Sequence, residues 1–199
     1  MVRAVLLDIG GVLEITPPTG WPQRWAAELG LEPDELWHRL EDLARAGSVG
    51  AVTEADYARA VGTRLGLSSA DVERFLVDLW DEYLGTANTE LISWFAGLRP
   101  RYRTGIVSNS FVGAREREQE RYGFADLCDT IVYSHETGVA KPDPDIYLEA
   151  CRRLAVAPED AVFVDDVEAA VAGAREVGMT GVLHRDNART IAEVGRLLA

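Results

Sequence analysis

Apolar residues follow two rhythms along this chain. Short continuous runs occur at Val2–Leu7, broken only by Arg3, and at Arg103–Val107, Thr130–Tyr133, Ala161–Val164 and Thr180–Leu183. Each is rich in Val, Ile or Leu, and helical patterns lie between the later ones. Such short apolar runs predict strands buried on both faces. Their alternation with helices predicts a parallel sheet covered by helices on each side.

The stretch from Thr16 to Ala87 differs. It carries helix signals and no convincing strand. Pro33 opens a periodic segment, and Gly47 predicts its stop. Thr53 with Asp56, and Ser68 with Asp71, read as N-caps with capping-box-like partners. In the helix after Ser68, the residues Val72, Phe75, Leu76, Leu79 and Tyr83 share one face. Roughly seventy helical residues between the first two strands exceed what one parallel crossover needs. The expected fold is therefore a three-layer, Rossmann-like α/β core with a mostly parallel five-stranded sheet, plus an inserted α-helical cap. The core is expected over 1–15 and 88–199 and the cap over 16–87, with hinges at Thr16–Gly20 and Gly85–Asn88.

Length and charge narrow the function. The 199 residues carry 33 acidic and 20 basic side chains, a net charge of -13. A surface this acidic repels phosphate backbones and anionic lipid, so no nucleic-acid or membrane partner is expected. No apolar stretch is long enough to span a bilayer, and the N-terminus lacks a signal peptide's apolar region and cleavage site. A soluble, cytoplasmic protein is expected, as a monomer or homodimer. Cys128 and Cys151 form no metal or disulfide pattern and read as small core residues. The basic residues are nineteen Arg and one Lys, Lys141. Arg and Lys differ most where a compact point charge must enter a tight site.

In open parallel sheets, ligands bind beyond the carboxyl ends of the strands. The first strand ends in Asp8, the second in Ser108 and Asn109, the fourth in Asp165 and Asp166. Lys141 follows the third, in GVAKPDPDIY. Three carboxylates, a hydroxyl, an amide and the sole lysine thus converge on one edge. Carboxylates this close repel unless a cation joins them, and an all-oxygen ligand set fits Mg²⁺.

The order hhhDxGGV, hhhSN, a lone Lys in GxxKPDPxIY, and hhVDD before a helix resembles the haloacid dehalogenase superfamily. It is similar to the phosphatase branch with a helical, C1-type cap after the first motif. All four motifs occur in order across the chain. The resemblance implies that Asp8 attacks phosphorus and forms an aspartyl-phosphate. It implies that Ser108, beside Asn109, binds the phosphoryl oxygens, and that Lys141 neutralises developing charge. Asp8, Asp166 and the Gly10 carbonyl would bind Mg²⁺, with Asp165 supporting the site through water or by holding Lys141. The implied substrate is a small phosphorylated metabolite, a sugar phosphate by resemblance.

Two positions depart from the family pattern. Its first motif usually reads Asp-x-Asp, whose second Asp protonates the leaving oxygen; here Gly10 stands there. Glu14, or His38 from the cap, is the candidate substitute. Ala170 stands four residues past Asp166, where an Asp or Asn often organises the metal shell. Two rival functions follow. A 2-haloacid dehalogenase would use the same Asp on carbon without metal, but Asp165 and Asp166 would repel a haloacid. A catalytically silent phospho-ligand-binding protein would need no acid at Gly10. Elsewhere structural readings prevail. The five tryptophans are expected in packing, with one or two lining the pocket. His38, His135 and His184 are expected on the surface or in turns, and Arg115–Arg121 on a solvated helix face.

Overall fold

The computed structural model describes all residues, 1–199. Strand β1 (Ala4–Leu7) leads into a tight turn and a two-residue strand β2 (Glu14–Ile15). Four helices follow: α1 (Trp21–Leu29), α2 (Pro33–Ser48), α3 (Glu54–Leu65) and α4 (Ser69–Leu84). Then come β3 (Thr86–Ala87), α5 (Thr89–Ala96), β4 (Arg103–Ser108), α6 (Ala114–Tyr122), α7 (Phe124–Leu127) and β5 (Thr130–Tyr133). The chain closes with α8 (Ser134–Thr137), α9 (Pro144–Leu154), β6 (Ala161–Asp165), α10 (Glu168–Glu176), β7 (Thr180–Leu183) and α11 (Asn187–Leu198).

Five strands pair in the order β5-β4-β1-β6-β7, every pair parallel. The period-2 alternation of a strand splits the apolar runs between two cores. Val5, Leu7, Ile106 and Val164 face Leu91 and Phe95 of α5, Phe124 of α7 and Val194 of α11. Ala4, Leu6, Val107 and Phe163 face Ile146, Tyr147 and Leu154 of α9 and Ala174 of α10. Both cysteines are free and buried, Cys128 in the first core and Cys151 in the second.

The helical segment has a third core, built from Trp21, Trp25, Leu36, Leu40, Val61 and Phe75 among others. Each such side chain, fully buried, contributes about 1.5–3 kcal/mol. Thr53 and Ser68 cap α3 and α4 by accepting from the amides of Asp56 and Asp71, as their spacing predicts. Gly47 does not stop α2, which runs one residue further. It is instead a contact position: a Cβ there would lie 2.2 Å from the Phe111 ring. The absence of strands expected over Thr16–Ala87 also needs correction at its far end. β3 pairs antiparallel with β2, so both connections to the helical segment run through one two-stranded ribbon. No helix is long and apolar enough to cross a membrane.

Candidate active site

The turn after β1 is folded by its own backbone. The Ile9 carbonyl accepts from the amides of Val12, Leu13 and Glu14 at 3.1, 2.8 and 2.9 Å. Gly11 adopts φ +72°, and a Cβ there would lie 2.2 Å from Asp166 Oδ2. Only glycine allows Asp166 so near this turn. The Asp8 amide still donates to the Val164 carbonyl at 2.9 Å, so the ladder carries Asp8 to the sheet edge.

The sequence-predicted residues meet there. Lys141 Nζ lies 2.7 Å from Asp8 Oδ1 and 2.7 Å from Asp165 Oδ2, with all three side chains nearly buried. The other Asp165 oxygen accepts from the Val167 amide at 2.8 Å. Asp165 is therefore committed to holding Lys141 and the turn. Asn109 clasps the lysine's backbone: its Nδ2 donates to the Lys141 carbonyl at 3.0 Å, and its Oδ1 accepts from the Lys141 amide at 2.7 Å. Both ends of the Asn109 amide are thus used in positioning Lys141. Ser108, buried, ends β4 and borders the cavity together with Asn109 and Gly10.

Burial pushes the Asp8 carboxyl up, to about 6, against the pull of Lys141, while Asp165 adds to the rise. Burial and the Asp165 charge also raise Asp166. Carboxylate oxygens of Asp8, Asp165 and Asp166 lie within 4.8 Å of one another. One ammonium faces three carboxylates, and Asp166 is exposed toward solvent. Hard oxygen donors with excess negative charge are what Mg²⁺ selects, so the residues present fit that ion. Ala170 is buried, packs in the second core and offers no ligand. Its carbonyl accepts from Tyr147 Oη at 2.7 Å.

A cavity of about 380 Å³ opens between this edge and the helical segment. Glu14 lines it; His38 does not, being exposed on α2 with Nδ1 on the Asp34 carbonyl. Thr16 Oγ1 donates to Glu14 at 3.0 and 2.9 Å. Burial lifts the Glu14 carboxyl to about 7. Of the tryptophans, Trp21 and Trp37 line the cavity, Trp25 belongs to the helical core, and Trp80 sits against Phe111 and Arg117.

Several polar residues escaped the sequence reading. Glu118 is buried, accepts from Tyr133 Oη, and is pushed by burial to about 7. Arg115–Arg121 is therefore not a wholly solvated face. Ser110 borders the cavity, its amide donates to Ser134 Oγ at 2.9 Å, and its hydroxyl bonds His135 Nδ1 at 2.6 Å. His184, in the connection just after β7, is buried, with Nδ1 2.8 Å from Thr190 Oγ1. Ser and His in loops or in a single helical turn carry no periodic signal that would have revealed these contacts.

Comparison with known proteins agrees with this geometry. The chain is 29% identical to glyceraldehyde 3-phosphate phosphatase of Methanopyrus kandleri, covering 92% of this chain and 83% of that one. An enzyme of the same family from Bacteroides thetaiotaomicron, crystallised with magnesium and inorganic phosphate, has the same fold. Its TM-score is 0.78 at 20% identity, over 93% of this chain and 95% of that one. A 2-haloacid dehalogenase from Pseudomonas syringae pv. tomato superposes with TM-score 0.70 at 25% identity over the full length of both chains. The haloacid dehalogenase-like hydrolase family model matches residues 2–178, and with the four motifs gathered at one sheet edge the chain belongs to that family of hydrolases.

Proposed function

We propose that this hydrolase is a magnesium-dependent phosphatase of a small phosphomonoester, with Asp8 as nucleophile. One observation supports this most directly. Lys141 bridges Asp8 and Asp165 at 2.7 Å while Asp166 stands free beside them, next to a cavity bordered by Gly10 and Ser108. The Asp166 carboxylate would repel a haloacid unless a cation neutralised it.

In this reading the core comprises 1–15 and 88–199, and 16–87 is the cap, with the β2–β3 ribbon as its hinge. Asp8, Asp166 and the Gly10 carbonyl would hold the ion, which supplies charge neutralisation at the phosphoryl oxygens when bound. Asp8 attacks phosphorus through a carboxylate oxygen, and the bond from phosphorus to the ester oxygen breaks. Ser108 donates to a phosphoryl oxygen and Lys141 offsets the charge on the others. Glu14, the carboxyl on the cavity wall, gives its proton to the departing alkoxide. It then takes one from the water that attacks the aspartyl-phosphate, releasing phosphate and restoring Asp8. The cap excludes bulk water.

The test is phosphate release from sugar phosphates and p-nitrophenyl phosphate, with Mg²⁺, with EDTA, and with Asp8→Asn. Release is expected to need both the metal and Asp8. Ligand-induced stabilisation with no turnover would support the silent binding protein instead. Halide release without metal would support the dehalogenase.

A further inference from the structure

The cavity beside the reacting edge receives whatever is esterified to the phosphate, because Gly10 and Ser108 form its floor. Its side walls are aromatic: Trp21, Trp37, Tyr57, Tyr83 and Phe111. Trp21 and Trp37 meet edge to face with ring centroids 5.7 Å apart, and Tyr57 meets Phe111 the same way at 4.7 Å. These rings are braced against one another, so the walls are preformed.

The ionisable carboxyls of this lining have no basic group to offset them. Glu14 and Glu82 border the cavity, and none of its fifteen lining residues is Lys or Arg. Glu82 is anchored at the rim by the Thr19 amide and hydroxyl, at 2.8 and 2.6 Å. Lys141, at the reacting edge, is already shared between Asp8 and Asp165. The net charge of -13 deepens the negative field. A second phosphate or a carboxylate on the leaving group would enter with no cationic partner in the lining and face the Glu82 carboxylate.

Aromatic faces with acidic acceptors between them suit a ring that is apolar on its faces and carries hydroxyl or ammonium donors at its edge. The volume, at the small end for ligand pockets, suits one such ring. We infer that the substrate is the monophosphate of a single neutral or amino-substituted sugar-like ring, and that the cavity rejects bisphosphates and carboxylated sugars. This rests on the phosphatase reading above and specifies its leaving group.

The test compares kcat/KM on matched rings in the presence of Mg²⁺: glucose 6-phosphate, glucosamine 6-phosphate and glucose 1,6-bisphosphate. Glucose 1-phosphate against glucuronic acid 1-phosphate forms a second pair, with p-nitrophenyl phosphate as the reference ester. The neutral and amino sugars are expected to exceed their anionic counterparts by at least about tenfold. In Glu82→Lys, which places a cation at the rim, the ratio of bisphosphate to monophosphate turnover is expected to rise. Turnover of the bisphosphate or the uronic acid equal to or above that of the neutral sugar overturns the inference and leaves the phosphatase intact. So does an unchanged ratio in Glu82→Lys. No release from any ester, p-nitrophenyl phosphate included, overturns the phosphatase reading and this inference with it.

Discussion

At the level of single residues, Lys141 is the keystone of the charge arrangement. Removing it leaves Asp8 and Asp165 buried and facing each other with no counter-charge. Losing one partner of a buried ion pair costs about 3–5 kcal/mol. Lys141→Met is therefore expected to lower the melting temperature of the metal-free protein by about 10 °C or more, read by calorimetry. Gly10 is the complementary case. A Cβ built on it meets nothing within 4 Å, so the carboxylate usual in the family fits there. Gly10→Asp is expected to speed hydrolysis of alkyl phosphates by about 10²-fold, as general acids typically do. Its effect on p-nitrophenyl phosphate, whose leaving group needs little protonation, is expected to be small. Glu14→Gln is expected to slow the alkyl esters and spare the nitrophenyl ester. Unchanged alkyl-ester rates in Glu14→Gln would exclude Glu14 as the acid. Asp8, Asp165 and Asp166 were readable as site residues because carboxylates adjoin apolar runs there. The roles of Asn109 and Glu118 were not, because each acts through a partner distant in sequence: Lys141 for one and Tyr133 for the other.

At the level of elements, the helical segment is seated on the sheet at the end of α2. The Ser48 carbonyl accepts from Ser134 Oγ at 2.7 Å, and Arg117 pairs with Glu54. Gly50 makes a close approach to backbone there: φ is +68°, and a Cβ would lie 2.0 Å from the His135 carbonyl oxygen. Backbone cannot retreat as a side-chain tip can. Gly50→Ala is expected to destabilise the protein by more than about 1 kcal/mol. The matching observation is faster amide exchange localised to the end of α2 and to α8. Strand positions were legible to within a residue or two because each run holds a short stretch of adjacent Val, Ile, Leu or Phe residues. The β2–β3 ribbon was not, since two-residue strands leave no pattern to detect and exist only because the ends of the helical segment meet.

Across the whole molecule, buried carboxyls tie stability to pH. Burial pushes Glu118 from its usual 4.5 to about 7, and Glu14 likewise. Between those values the folded chain keeps protons that the unfolded chain releases. Stability is thus greatest below about pH 4.5 as far as these groups decide it, falls as pH rises toward 7, and levels off above. Each group contributes on the order of 1–3 kcal/mol to that fall. Chemical denaturation of the metal-free protein at pH 5, 6, 7 and 8 measures it. Glu118→Gln, which keeps a neutral partner for Tyr133, is expected to flatten the slope. A slope identical to the parent would show that Glu118 is ionised throughout.

The sequence by itself determined the parallel α/β core, the order of the chemistry-bearing motifs along the chain and the family. Those features rest on local signals: continuous apolar runs, capping residues, and acids placed where strands must end. Tertiary structure alone decided which side chains share the reacting edge and which hold others in place. It placed Asn109 on the backbone of Lys141, brought Glu14 rather than His38 to the cavity, and gathered aromatic side chains from separate helices around the cavity that Gly10 borders. Such contacts join residues far apart in the chain, and their energies depend on burial and distance, quantities a linear pattern does not contain.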